Sequence, residues 1–148
     1  MQLTIRSVTA GDRAVWEELF RGYAAFYETD PAPAIETVWG WILDPDEPFR
    51  ADIAISPESG AAVGLVQYQL MHRSLSGGMV CYLSDLFVRP ELRGTGAGRA
   101  MIDHVIGFAR AQGLPSVRWL TAESNATARG LYDSYAPASG FILYAVPV

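Results

Sequence analysis

The chain is poor in the residues from which many sites are built. It has a single cysteine, Cys81, in 148 residues, so no internal disulfide can form and the thiol fits a reducing cytosol. Cys81 sits inside the apolar run MVCYLSDLFV and reads as a small buried filler rather than a nucleophile. His72 and His104 are the two histidines, and neither has a partner pattern around it; a solvent-facing or locally bonded ring is expected for both. Ser/His/Asp arrangements and metal-ligand spacings are lacking, so no metal is expected. No apolar stretch approaches the roughly 20 residues of a membrane span. The start, MQLTIRSVTAGDR, has no apolar signal-peptide core. These absences point to a cytoplasmic protein with no membrane partner.

Charge is also scarce, at 18% of residues against 50% hydrophobic, the balance of a globular chain with a substantial core. The net charge of −5 and a pI near 4.9 argue against nucleic acid, whose phosphates call for a basic face. An acidic surface would help to attract a cationic small-molecule substrate. Repeats, low-complexity tracts and charge blocks are absent, so 1–148 reads as a single domain.

What is present is a change of period along the chain. LTIRSV (3–8) alternates as a strand, and residues 10–28 set Trp16, Leu19, Phe20, Tyr23 and Phe26 on one helical face. Residues 31–48 read as a shorter helix bounded by prolines. RADIAIS (50–56), AVGLVQYQLMHR (62–73) and MVCYLSDLFV (79–88) then form a meander. A helix over 96–113 follows, with Ala97, Met101, Val105 and Ala109 at four-residue steps. The expected remainder is a strand at 116–122, a helix at 124–136 and a last strand, GFILYAV, at 140–146. The fold class is a mixed α/β (α+β) layer in the order strand, two helices, three strands, helix, strand, helix, strand.

Between the third meander strand and its helix lies Arg93-Gly94-Thr95-Gly96-Ala97-Gly98. Free N–H groups at a helix start, together with the helix dipole, favour an anion. Glycine lets the backbone come close to a ligand, and Arg93 adds positive charge. The loop suits a pyrophosphate. It is not a P-loop, since Gly98 is followed by Arg99-Ala100, and its GxGxG spacing late in the chain does not fit a dinucleotide fingerprint.

DLFVRPELRGTGAG resembles the acetyl-CoA-binding motif of the GNAT superfamily of N-acetyltransferases, with Arg93, Gly96 and Gly98 at its fixed positions. AESNATARGLYDSYAPASGF resembles the later part of the same fold, and the pair looks closest to the branch acting on polyamines, other small amines and, in some members, histone tails. The resemblance spans the whole chain. It implies a central mixed sheet whose fourth and fifth strands splay around acetyl-CoA. Pantetheine would bond to the main chain of Leu86, Phe87 and Val88, and pyrophosphate to residues Gly94, Thr95, Gly96, Ala97, Gly98 and Arg99 beside Arg93. Asn125 and Tyr132 would face the cofactor from the last helix, Tyr132 as proton donor to the leaving thiolate and Tyr135 as a packing residue. Asp85 is the first candidate for general base, although related sequences often have two adjacent acids where this one has Ser84-Asp85. Glu123 and Glu36 are alternates. Glu28, Asp30 and Trp39 are the expected acceptor contacts, on helices that form the acceptor wall in this family.

The implied activity is transfer of acetyl to a primary amine by direct attack in a ternary complex. Acetylation of a protein lysine or N-terminus, and a silent acetyl-CoA sensor, are the rival readings. The apolar edge of FILYAV is a candidate for pairing in a homodimer.

Overall fold

A computed structural model describes residues 2–148. Its elements are β1 (Thr4–Ser7), α1 (Arg13–Phe26), α2 (Ile35–Leu43), β2 (Phe49–Ile55), β3 (Ala62–Arg73), β4 (Gly78–Val88), α3 (Ala97–Ala111), β5 (Val117–Arg118) and α4 (Ala126–Asp133). One sheet runs in the order β1-β2-β3-β4-β5. Its pairs are antiparallel except β4 with β5, which is parallel.

Helices cover both faces of the sheet, which is why β2 and β3 read as near-continuous apolar runs. On one face Trp16 and Leu19 of α1 and Ile35 and Val38 of α2 pack on Ala51, Ile53, Leu65 and Phe87. On the other, Met101, Ile102, Val105 and Ala109 of α3 pack on Ala54, Val66, Tyr68 and Leu83. Each fully buried large aliphatic side chain adds about 1.5–3 kcal/mol. Cys81 is buried among them, its thiol pushed up to about 11 by burial, as suits an inert filler.

His104 departs from expectation. Its Nε2 lies 2.8 Å from Oδ2 of buried Asp52, fifty-two residues earlier, and Tyr68 donates its hydroxyl to the same oxygen at 2.6 Å. Burial alone would raise the Asp52 carboxyl, but these bonds outweigh it and hold it below the usual range. Every lysine or arginine in the chain is in fact an arginine, eleven in all. Four form ion pairs among the described residues: Arg6 with Asp12, Arg13 with Glu17 and Glu36, Arg21 with Glu17, and Arg89 with Glu18.

Two expectations near the C-terminus are corrected. The strand expected over 116–122 is paired only at Val117 and Arg118; from Trp119 onward the chain leaves the sheet, and that indole packs on Tyr132 and Tyr135. No sixth strand forms over 140–146. Phe141 is 94% exposed there and Tyr144 85%. A strand needs a neighbour's hydrogen bonds, and a two-residue β5 is too short an edge to template seven residues.

Candidate active site

The site is built where β4 outruns its neighbour. On the β5 side, β4 is paired only at Cys81 and Tyr82, so residues 83–88 face that side without a strand partner. On the β3 side the register slips: Gln67 lies opposite Asp85, but Tyr68 lies opposite Leu83. Ser84 is the extra residue of this bulge, and its hydroxyl reaches the Gln67 carbonyl at 3.1 Å. The parted strands open a narrow, solvent-connected cleft. Leu83, Ser84 and Leu86 line it from β4, Trp119 and Leu120 from the chain after β5, Tyr132 from α4, and Tyr23 and Tyr27 from the end of α1.

At the far end of β4 the glycine loop turns into α3. Gly94 and Gly96 hold φ of +79° and +90°, a region other residues enter only under strain. Gly96 is the N-cap residue of α3 and provides no side-chain cap. The backbone N–H groups of residues 94–99 donate to no acceptor among the described residues. The loop's shape is held from outside it. Thr95 donates its hydroxyl to the Leu92 carbonyl at 2.6 Å, and Arg93 bonds the Val88 carbonyl and lies 5.3 Å from the Phe26 ring. Arg99 bonds Ser134 at 2.9 Å, tying the start of α3 to the end of α4. A Cβ on Gly94 or Gly96 would meet nothing, so the space above the loop is open to a ligand. Free N–H groups at a helix start can cradle an anion such as a pyrophosphate.

Tyr132 is a half-buried wall of the cleft, edge-on to Trp119 at 5.5 Å. Burial, then the neighbouring Tyr27, pushes its pKa up, so it holds its proton. Tyr135 is separated from it by geometry: its hydroxyl donates to Asp103 at 2.7 Å, outside the cleft lining. Asn125 is the N-cap of α4, its side-chain oxygen accepting from Ala128 N–H at 3.2 Å. Leu86 lines the cleft, whereas the Phe87 side chain is buried on the opposite face.

Asp85 points toward α1, between two cleft-lining residues, Ser84 and Leu86. Its Oδ2 accepts from Gln67 Nε2 at 2.8 Å and from Ser84 Oγ at 3.1 Å. Tyr23 stands over this turn, its hydroxyl 3.4 Å from the Ser84 carbonyl, and burial followed by the Asp85 charge raises its pKa. Glu36 is paired with Arg13, and Glu123 is exposed. Of the expected acceptor contacts, Trp39 packs 5.1 Å from Trp16 under the Arg13 guanidinium. Glu28, at φ +53°, and Asp30 are exposed just past α1. None of the three lines the cleft.

Gln67 escapes a sequence reading, and Tyr23 and Tyr27, which the resemblance places only among the aromatics of the acceptor wall, are not singled out by it although both line the cleft. The available signals are slight. Tyr23 lies seven residues after Trp16 on one helical face, and Gln67 is the lone polar residue in AVGLVQY.

A family model described as the acetyltransferase (GNAT) family matches residues 13–135. A D-amino-acid N-acetyltransferase of Saccharomyces cerevisiae is 28% identical over 144 residues, covering 97% of this chain and 89% of that protein. Among solved structures, AAC(6')-Iy in complex with the bisubstrate analog CoA-S-monomethyl-acetylneamine superposes with a TM-score of 0.84 at 18% identity, covering 100% and 99% of the two chains. A ribosomal-protein-alanine N-acetyltransferase from Brucella melitensis biovar Abortus gives 0.82 at 19% identity, with full coverage of both. At such identities the structural likeness is one of fold.

Proposed function

The chain belongs to the acetyltransferase (GNAT) family, and on that premise we propose that it transfers the acetyl group of acetyl-CoA to a primary amine of a small molecule in the cytoplasm. The observation that carries this is the single track formed by the parted β4–β5 edge, the uncapped loop 94–99 and Tyr132. The loop supports the pyrophosphate, the edge of Leu86–Val88 the pantetheine arm, and the cleft the reacting groups. A small acceptor is favoured over a protein tail by the acceptors of the proteins this chain resembles. The yeast relative's D-amino acids and the amine analogue on AAC(6')-Iy are of that class.

Acetyl-CoA supplies the thioester carbon on which the amine acts. The rest falls to the chain. An alkylamine of pKa about 10.4 is about one part in 10³ neutral at pH 7, a deficit of about 4–5 kcal/mol that a proton acceptor must offset. Asp85 is the carboxylate at the bulge for that task. Tyr132 meets the leaving sulfur. A thiolate near 8.5 is a weaker base than a tyrosinate near 10, so full proton transfer is uphill by about 2 kcal/mol and more for a raised tyrosine. Its part is to hydrogen-bond the emerging charge from the half-buried wall of the cleft. Glu28 and Asp30, exposed past Tyr27 and outside the cleft lining, are the carboxylates we assign to the distal ammonium of a polyamine-like acceptor. The uncovered 141–146 segment supports pairing of two copies of the chain.

The test is coenzyme A release from acetyl-CoA with a polyamine, D-amino acids, an aminoglycoside and a lysine peptide, products weighed by mass. Turnover with a small amine and its loss in Tyr132→Phe support the reading. Turnover with the peptide alone moves the acceptor to protein, and binding without any product leaves a sensor.

A further inference from the structure

Gln67, in the middle of β3, is 1% exposed, and its two ends are spent on different partners. Trp16 donates its indole Nε1–H to Gln67 Oε1 at 2.9 Å, and Gln67 Nε2 donates to Asp85 Oδ2 at 2.8 Å. An indole N–H can only donate, so the amide oxygen must face Trp16 and the NH₂ must face Asp85. The orientation of the amide is therefore dictated by the core. The hydrogen bonds that Gln67 and Ser84 donate to this carboxylate both fall on Oδ2; Oδ1 is not sealed off from solvent, and the Tyr23 hydroxyl is the protein donor close to the carboxylate.

We propose that Trp16 and Gln67 form a clamp that positions Asp85 for proton removal. The clamp holds Oδ2 from the neighbouring strand β3 and leaves Oδ1 for the proton, at the rim of the cleft beside Ser84 and Tyr23, which line it. Oδ1 takes one proton from the acceptor ammonium across one water, the carboxylate becomes a carboxylic acid, and no bond to carbon or sulfur changes in that step. Asp85 then returns the proton to solvent. Tyr23 from α1 and Tyr82 on β4 are the titratable neighbours facing it. Gln67 is a positioning residue, since it acts through Asp85. The inference rests on the reading of Asp85 as the base.

The experiment is a double-mutant cycle in kcat on the intact protein. The variants are Gln67→Met, Asp85→Asn and the two combined. Trp16→Phe is a second route to the same clamp, and spermidine, D-alanine and a lysine peptide are the acceptors tried. Gln67→Met is expected to lower kcat about tenfold with the KM for acetyl-CoA unchanged, and to cost nothing further once Asp85→Asn is present. Trp16→Phe should act in the same direction and by less. Additive losses, or full kcat in Gln67→Met, overturn the clamp. Full kcat in Asp85→Asn overturns the base reading instead. A readout that needs no acceptor is the Trp16 indole N–H resonance of ¹⁵N-labelled protein. It should move in Asp85→Asn, through Gln67, and an unmoved resonance overturns the coupling.

Discussion

A Cβ placed on Gly22 would stand 2.6 Å from Cζ of Phe87. Helix α1 therefore lies directly on the buried ring of β4, with no side chain between them. That contact sets the height of the next residue, Tyr23, over Ser84. Gly22→Ala must displace a packed ring, and is expected to cost about 1–3 kcal/mol in urea unfolding. Phe87→Leu in the same chain should recover part of that loss. A Gly22→Ala protein as stable as the parent would show the contact to be looser than it is here.

Gly96 isolates the cradle from backbone strain. Its φ of +90° would cost another residue about 1–3 kcal/mol. Gly60, at φ +71° in the β2–β3 turn, also has nothing within 4 Å of a built Cβ and is far along the chain from the loop. Gly96→Val is expected to weaken acetyl-CoA binding at least about tenfold by calorimetry, by filling the space over the free N–H groups. Gly60→Val should lose stability and keep its affinity.

Tyr132 and Tyr135 are expected to separate catalysis from packing. Tyr132→Phe is expected to lower kcat by about 10–100-fold with little change in the KM for acetyl-CoA. Tyr135→Phe loses the bond to Asp103 and should lower the unfolding temperature while sparing kcat. Steady-state kinetics and a thermal melt of each decide it, and interchanged phenotypes would reassign the two rings.

Asp52 gives the fold an acid limit. Its folded pKa lies below the unfolded one of about 3.9, so its contribution is complete above that value and disappears as pH falls through the folded pKa. Between pH 5 and 3 the parent protein should therefore lose more unfolding temperature than Asp52→Asn, which has no proton to gain there. Parallel losses in the two proteins would remove Asp52 from the acid response.

The segment after α4 is expected to join two chains. Light scattering at micromolar concentration should give twice the chain mass, and Phe141→Asp should return one chain's mass. A parent protein already at one chain's mass ends the idea.

Legibility followed the kind of signal each element left. β3 was readable to its ends, Ala62 and Arg73, because an apolar run bracketed by turn residues marks it. The four-step apolar stripe of α3 was readable because Met101, Val105 and Ala109 all meet the sheet. β5 and the strand expected after α4 were not, because pairing depends on the neighbour as much as on the segment. Phe141 to Val146 is strand-like in composition and still has no ladder to join. In the site, the glycine loop announces itself through residue type. Gln67 does not, since its significance lies in two partners fifty-one residues before and eighteen after it. Trp39 was illegible for a related reason: an aromatic on an acceptor-wall helix looks the same whether it meets substrate or, as here, Trp16.

The all-arginine cationic surface has a chemical corollary for a protein of this family. Acetyl thioesters react with exposed ε-amines without any enzyme, and a chain with no lysine presents none. Guanidinium groups stay protonated and are not acylated under these conditions. The Arg93 and Arg99 charges beside the loop, and the pairs that fasten α1 to its surroundings, therefore stay constant however high the cosubstrate concentration runs. The protein is chemically inert toward its own reagent at every side-chain cation it relies on.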